Sequence, residues 1–302
     1  MIEGIFVEGL IYGIMALGVF ITFRVLDFPD LTVDGSFPLG AALMVQCLLL
    51  DMNLWLALLI AFIGGMLAGM VTALIHNHLK VPNLLAGILT MTMLYSVNIR
   101  VLDNRANVPI LKHTTILSHV SEAFAGAVPD EYVLLLFFLI VVLIIKLLLD
   151  LFFHTDLGMT LGAMGNNEQM VISQGVNPKT LKTIGLGLSN GLVAVSGAFA
   201  AQYLGFADVA LGQGIIISGL ASVMIGEFLV LKSNRIVVLT FCAVMGSVVF
   251  NGVMYLGRYY GYVVKMTPND LNLIKGILII ALLLVAQSKK LQKNPVRAMS
   301  PG

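Results

Sequence analysis

The feature that most limits what this chain can become is the spacing of its charges. Nine stretches, 9–23, 35–50, 52–79, 81–99, 132–145, 183–207, 209–226, 236–257 and 276–288, contain no Asp, Glu, Lys or Arg. A helix that crosses a bilayer needs about 20 mostly apolar residues. Hydrophobic residues make up 59% of the 302 and charged residues 11%, where a soluble domain carries about 25% charged residues. Lipid is therefore the main solvent. The expected fold is an all-α polytopic membrane protein with about nine membrane segments. The Gly-rich seventh, 209–226, is a candidate for a discontinuous or re-entrant segment.

Basic residues set the orientation. Lys289, Lys290, Lys293 and Arg297 place the C-terminus in the cytoplasm, and nine spans then put the N-terminus outside. Arg24, Lys80, Lys179, Lys182, Lys232 and Arg235 join the inner side; Arg100, Arg105, Lys112, Arg258, Lys265 and Lys275 fall outside. Glu3 and Glu8 stand where a signal peptide would need a positive region, so Ile5 to Phe23 reads as a retained first span. The membrane body covers 1–290, with an outer connection at 102–131 expected to hold one short surface helix. An inner connection spans 154–182, and 291–302 form a cytoplasmic tail.

Several function classes find no support. A net charge of +1 gives no footprint for nucleic acid. Cys47 and Cys242 lie in apolar runs and read as small core residues, and His76 and His78 have no third ligand nearby for a metal. No nucleophile–base pair stands out, so no catalytic residue is assigned. No Gly-Lys dipeptide occurs, which excludes a P-loop. Asp34, Asn98, Lys146, Asn190, Gln202, Asp208, Glu227 and Asn251 are the polar groups nearest the membrane. Only Asn98, Asn190 and Gln202 read as deep, and none of the three titrates, which counts against a proton-driven carrier.

Gly65 and Gly69, and Gly187 and Gly191, stand four apart and mark close helix–helix approach. The segment from Gly87 echoes the one from Gly214, a hint of two related halves. In 154–182, Asn166 or Asn167 is suited to cap a short helix that Gly175 and Pro178 would end, with Met170, Val171 and Gln174 on one face. An exposed apolar face in the cytoplasm calls for a partner. Near the N-terminus, in Asp30-Leu-Thr-Val-Asp-Gly-Ser-Phe-Pro, Asp34 or Ser36 is expected to cap a helix with Pro38 in its first turn. A buried helix start of this kind carries partial positive charge suited to a substrate carboxylate.

Three stretches together resemble one family. Residues 157–177, Leu-Gly-Met-Thr-Leu-Gly-Ala-Met-Gly-Asn-Asn-Glu-Gln-Met-Val-Ile-Ser-Gln-Gly-Val-Asn, resemble the cytoplasmic signature of ABC importer permeases of the branched-chain amino acid and ribose class. Asp30-Leu-Thr-Val-Asp-Gly-Ser is similar to that family's early motif, and Val81-Pro-Asn-Leu-Leu-Ala-Gly-Ile-Leu-Thr-Met-Thr to its fourth-span start. The likeness covers about 9–286, and Leu31-Thr-Val-Asp-Gly-Ser-Phe37 most resembles the tryptophan/tyrosine permease subgroup of Gram-positive bacteria.

The resemblance implies a transport subunit of the bacterial cytoplasmic (inner) membrane and not an enzyme. It implies pseudo-repeated halves and a cytoplasmic coupling helix. Partners would be a separate ATPase carrying ATP and Mg, an extracytoplasmic substrate-binding protein, and a second permease copy or paralogue. Leu157, Gly158, Ala163, Gly165, Asn166, Asn167, Met170 and Gly175 would contact the ATPase. Asp34, Gly35, Ser36, Phe37, Thr90, Thr92, Met93, Ser96 and Gln202 are candidates for the path of an aromatic or branched-chain amino acid. The hydroxyls of Thr92 and Ser96 could equally bond to their own helix backbone. Gly162 stands where the family usually has Arg, and Asn166 where an acidic residue is common. The alternative is a secondary transporter of small solutes that works alone.

Overall fold

The computed structural model describes residues 2–111, 113–124, 129–229, 235–263, 273 and 275–280. Helix α1, Ile2–Val19, continues into a π-helical turn, Phe20–Val25; a break at 26–32 leads to α2, Val33–Leu49. Then come α3, Leu54–Leu79, and α4, Asn83–Val101. The connection that follows holds strand β1, Asn107–Pro109, and the expected short helix, α5, Ile116–Ala123. Helix α6 is Asp130–Phe153, α7 Asp156–Asn166, α8 Glu168–Ser173 and α9 Pro178–Leu204. Strand β2, Phe206–Asp208, and a 3-10 turn, Val209–Gly212, precede α10, Ile215–Leu229, and α11, Ile236–Val263.

Among the described residues seven helical segments are long and apolar enough to cross a membrane, and Val33–Leu49 is a shorter apolar helix. These account for eight of the nine predicted segments; of the ninth, 276–280 are described, and the basic tail lies outside the described residues. Helix α6 outruns its predicted end at 145 because its charges neutralise each other. Lys146 and Asp150 pair one turn apart, and Thr240 of α11 donates to Asp150 at 2.7 Å. Helix α10 alone has 15 residues, about 22 Å at 1.5 Å per residue, short of a hydrocarbon core of roughly 30 Å. It crosses only together with the 3-10 turn before it, which makes it a discontinuous segment.

The bundle has two halves of the same plan. In each, a long buried helix (α1, α9) meets a break, then a short buried helix (α2, α10), then a long one (α3, α11). The halves exchange partners: α9 packs on α2 and α3, while α1 packs on α10 and α11. This matches α10 with α2, so the echo of the Gly87 segment in the Gly214 segment does not mark equivalent helices. Small residues carry the exchange, as lipid offers no hydrophobic drive between helices. A methyl group at Gly65 or Gly69 would overlap the Asn190 or Leu186 carbonyl, and one at Gly187 or Gly191 would press on Met66 or Phe62. Both predicted glycine pairs thus lie in the α3–α9 contact. Serine hydroxyls tie α9 to α1: Ser189 donates to the Gly18 carbonyl and Ser196 to that of Ile11, both at 2.7 Å.

The strands form a two-stranded antiparallel ribbon, with Asn107 opposite Asp208 and Pro109 opposite Phe206. It pins the connection after α4 to the joint between α9 and α10. Gln202 adds a second pin, accepting from the Ile116 backbone N–H at 2.9 Å at the start of α5.

Candidate functional site

The two helix breaks meet. Asp34, in the first turn of α2, accepts from the backbone N–H of Gly214 at 3.0 Å and of Ile216 at 2.9 Å. It caps α10 rather than its own helix. The N-cap of α2 is Thr32, which makes no side-chain cap bond; just before it Asp30 Oδ1 accepts from the Thr32 N–H at 2.9 Å, and Ser36 serves as a donor, not a cap. Pro38 lies inside α2, and its missing N–H leaves the Asp34 carbonyl without the usual helical donor. Gly212 fits against that carbonyl and the Pro38 ring so closely that any side chain there would collide with both. The positive φ of Gly214, +68°, then turns the chain into α10.

Beside this junction lies a cleft of about 270 Å³ whose lining includes Asp34, Met91, Thr92, Tyr95, Asn98 and Gln213. Asn98 is fully buried and donates to the Gly35 carbonyl at 3.1 Å, while its Oδ1 has no partner. Thr92 and Tyr95 are exposed on the flank of α4, so the cleft opens there. Gln213 also lines a second cavity of about 390 Å³ on the other side of the junction, with Glu8, Tyr12, Asn251, Arg258 and Lys275. Arg258 there donates to Glu8 at 2.8 Å.

Of the predicted path residues, Asp34, Gly35 and Thr92 line the cleft. Ser36 and Phe37 turn into the bundle: Ser36 donates to Asn190 at 2.6 Å, and Phe37 stacks on Tyr12 with ring centroids 5.8 Å apart. Thr90 is buried and donates to the Ala86 carbonyl, and Thr92 donates to that of Ile88. Met93 and Ser96 are exposed on α4 outside the cleft lining, and Gln202 is occupied at α5. The path list omitted Met91, Tyr95, Asn98 and Gln213. The first three recur at i, i+4 and i+7 and so share one helix face, a signal present in the sequence.

The largest departure from expectation is Asp30. It is buried and titratable, so the interior does hold an acid. Asn190 donates to its Oδ2 at 2.7 Å, and Thr32 shares a 2.7 Å hydroxyl contact with Thr72 of α3. Gly87 of α4 packs on the Leu31 backbone beside the Asp30 carboxylate. Three helices, α3, α4 and α9, therefore converge on the seven-residue break.

The 154–182 connection forms two helices where one was expected. Thr155 caps α7 by accepting from Gly158 at 3.2 Å, and Asn167 caps α8 by accepting from Met170 at 3.2 Å. Gly175, with φ +79°, ends α8, and Pro178 takes the first turn of α9 behind an Asn177 cap. Leu161, Met164 and Val171 are buried, whereas Leu157, Met159, Met170 and Ile172 are exposed. Val171 therefore parts from Met170 and Gln174, with which it was expected to share a face. Gly158 rests on the Phe152 carbonyl, and Gly165 on the Val25 carbonyl that the π turn presents. Ala163 and Asn166 border a cavity of about 560 Å³ with Arg24, Asp27 and Gly162. Arg24 is paired with Glu227 of α10.

The histidine pair has local partners: His76 contacts the Val81 carbonyl at 2.8 Å and His78 that of Leu74 at 3.2 Å. Among the described residues no group of three His, Cys, Asp or Glu could hold a metal.

Residues 1–286 match the family described as branched-chain amino acid transport system / permease component. A "Tyrosine transport system permease protein" of Clostridioides difficile (strain R20291) is 40% identical over 282 residues, 93% of this chain and 90% of that one. An uncharacterized protein of Rickettsia prowazekii (strain Madrid E) is 33% identical over 219 residues, 72% of this chain and 74% of that one. The fold is shared with the solved PsaBC from Streptococcus pneumoniae in complex with Fab, at a TM-score of 0.54 and 16% identity over 92% of this chain and 89% of that one. The chain thus belongs to the permease components of branched-chain amino acid transport systems.

Proposed function

We propose that this chain forms the membrane path of an ATP-binding-cassette importer for a free amino acid, aromatic in side chain. The observation that carries the reading is the α7–α8 segment. It is held rigidly on the bundle by Gly158, Gly165, Leu161 and Val171, yet it leaves Met159, Met170 and Ile172 bare. A soluble partner that docks there and drives the bundle fits an ATPase subunit, which would bring the ATP and Mg that this chain has no P-loop to hold. The substrate class follows from the C. difficile relative, named for tyrosine transport. The cleft opens on the flank of α4, where Leu84, Leu85, Ile88, Leu89 and Val97 are also exposed. A second permease copy seated on this flank would enclose the path, and an extracytoplasmic binding protein would load it at the β1–β2 side. The setting is the bacterial inner membrane with α7–α8 cytoplasmic.

The test is reconstitution of the chain with the candidate ATPase and binding protein in liposomes, followed by uptake of labelled tyrosine. ATP-dependent uptake that is lost when 156–173 are replaced by a flexible linker supports the reading. Uptake without ATP, driven by an ion gradient alone, would favour the lone-carrier alternative, for which the buried Asp30 supplies a specific acid.

A further inference from the structure

The polarity of the cleft is opposite to the one expected from its sequence. A helix start reads as a donor-rich place for a carboxylate. Here the N–H groups of Gly214 and Ile216 at the start of α10 already point at the Asp34 carboxylate. At the start of α2 the Asp34 N–H is taken by the Leu31 carbonyl and the Gly35 N–H by that of Thr32. What remains facing the cleft includes several acceptors, alongside the Tyr95 hydroxyl and the Gln213 amide, which can both give and take a hydrogen bond. Asn98 Oδ1 is buried and unpartnered, with its amide nitrogen committed to the Gly35 carbonyl. Asp34 keeps carboxylate lone pairs beyond the two it uses, since an ionised carboxylate offers about four acceptor sites. Thr92 gives its proton to Ile88 and leaves its oxygen as an acceptor. Among the described residues that line the space none is Lys, Arg or His and Asp34 alone is charged, with Lys275 in the adjoining cavity.

We infer that this cleft takes the α-ammonium group of the transported amino acid, with Asn98 Oδ1 and the Asp34 carboxylate as its acceptors. An ammonium group carries three donors and no acceptor, the complement of Asn98 Oδ1 and the Asp34 carboxylate. The volume of about 270 Å³ sits just below the roughly 300–1,000 Å³ of pockets that enclose a whole ligand. The cleft thus holds a headgroup while the side chain leaves past Tyr95 toward the open flank. A carboxylic acid without an amine would meet Asp34 with like charge and leave Asn98 unpaired. The inference rests on the amino-acid import reading for its ligand, and assigns which end of that ligand enters first.

The test uses the full chain in lipid nanodiscs, with ligand binding read by saturation-transfer NMR. The probes are L-tyrosine, tyramine, which keeps the amine and lacks the carboxylate, and N-acetyl-L-tyrosine, which keeps the carboxylate and lacks the ammonium. L-tyrosine and tyramine should bind, and N-acetyl-L-tyrosine at least ten-fold more weakly. Asp34→Asn and Asn98→Leu should each reduce tyramine binding at least ten-fold. The comparison of probes on the unaltered chain stands even if a variant fails to fold. Equal binding of tyramine and N-acetyl-L-tyrosine, or binding of none of the three, overturns the inference. ATP-driven tyrosine uptake by the complex is measured separately. Uptake without amine selectivity sinks the ammonium site alone, and amine-selective binding without uptake sinks the import reading alone.

Discussion

Asn190 of α9 donates its side-chain amide to Asp30 at 2.7 Å and accepts the Ser36 hydroxyl proton at 2.6 Å. One side chain thereby satisfies both a buried carboxylate in the first helix break and a hydroxyl in the helix that follows it.

Asn190→Ala should accordingly destabilise the bundle by about 2–4 kcal/mol, because a buried polar group left without its partner costs about 1–3 kcal/mol and more when charged. Chemical unfolding in detergent would measure this. A loss below about 0.5 kcal/mol would mean that water reaches Asp30 and the site is not dry.

The Lys146–Asp150 pair should behave as a unit. Both side chains are largely covered, and Asp150 also accepts from Thr240. Lys146→Met should cost about 3–5 kcal/mol by stranding a buried carboxylate, while Lys146→Met with Asp150→Leu should recover most of it. Unfolding curves of the two variants decide; equal losses in single and double variants would contradict the coupling.

Glycines in the bundle should divide by what surrounds them. Gly65→Ala should destabilise strongly, since the methyl group meets the Asn190 carbonyl. Gly162→Ala should stabilise by about 0.5–1 kcal/mol, the helix-propensity gain of Ala over Gly, because only the Val25 side chain lies near, at 4.0 Å. The arginine common in the family at this position would project into the cavity beside Arg24 and Asp27. Thermal midpoints of the two alanine variants should move in opposite directions.

Neighbouring residues of α8 should separate docking from folding. Met170→Arg should abolish capture of the ATPase subunit with an unchanged thermal midpoint, because Met170 is exposed. Val171→Asp should lower the midpoint itself by burying an unpaired charge. Co-purification and thermal scans on the same preparations read both effects. Full ATPase capture by Met170→Arg would remove α8 from the contact.

Much of this architecture was legible because membrane burial leaves a coarse record. Charge-free runs located eight of the described segments, and the glycine pairs on α3 and α9 pointed to the seam they form. Asn167, Gly175 and Pro178 marked the ends of α8 through local backbone chemistry alone. Non-local pairing was harder to read. A scan for charges stops α6 at Lys146 because it cannot see Asp150 neutralising that charge in space. Asp34 looked like the cap of its own helix because sequence shows neighbours in order, whereas its partners are Gly214 and Ile216. Asp30 was assigned no role because nothing in its vicinity announces Asn190. The cleft shared this fate: Thr92 was visible as a hydroxyl, but the empty valence of Asn98 exists only once Gly35 has taken its nitrogen.

The exchange of partners between the two halves also sets an order in time. Ser36 waits for Asn190, 154 positions later in the chain, and the carbonyl of Gly9 waits for Ser247, 238 positions later. While the chain is being synthesised, α2 and α3 enter the bilayer with their glycine faces open, and no helix made before α9 can close them. α1 in turn stays without its α10 and α11 neighbours until synthesis is nearly complete. A chain released before Asn190 would leave the carboxylate of Asp30 without the side-chain amide that meets it. Arrival of α9 is thus the step that turns a row of inserted helices into a bundle, and a ribosome stalled before it leaves a product for the quality-control proteases of the membrane.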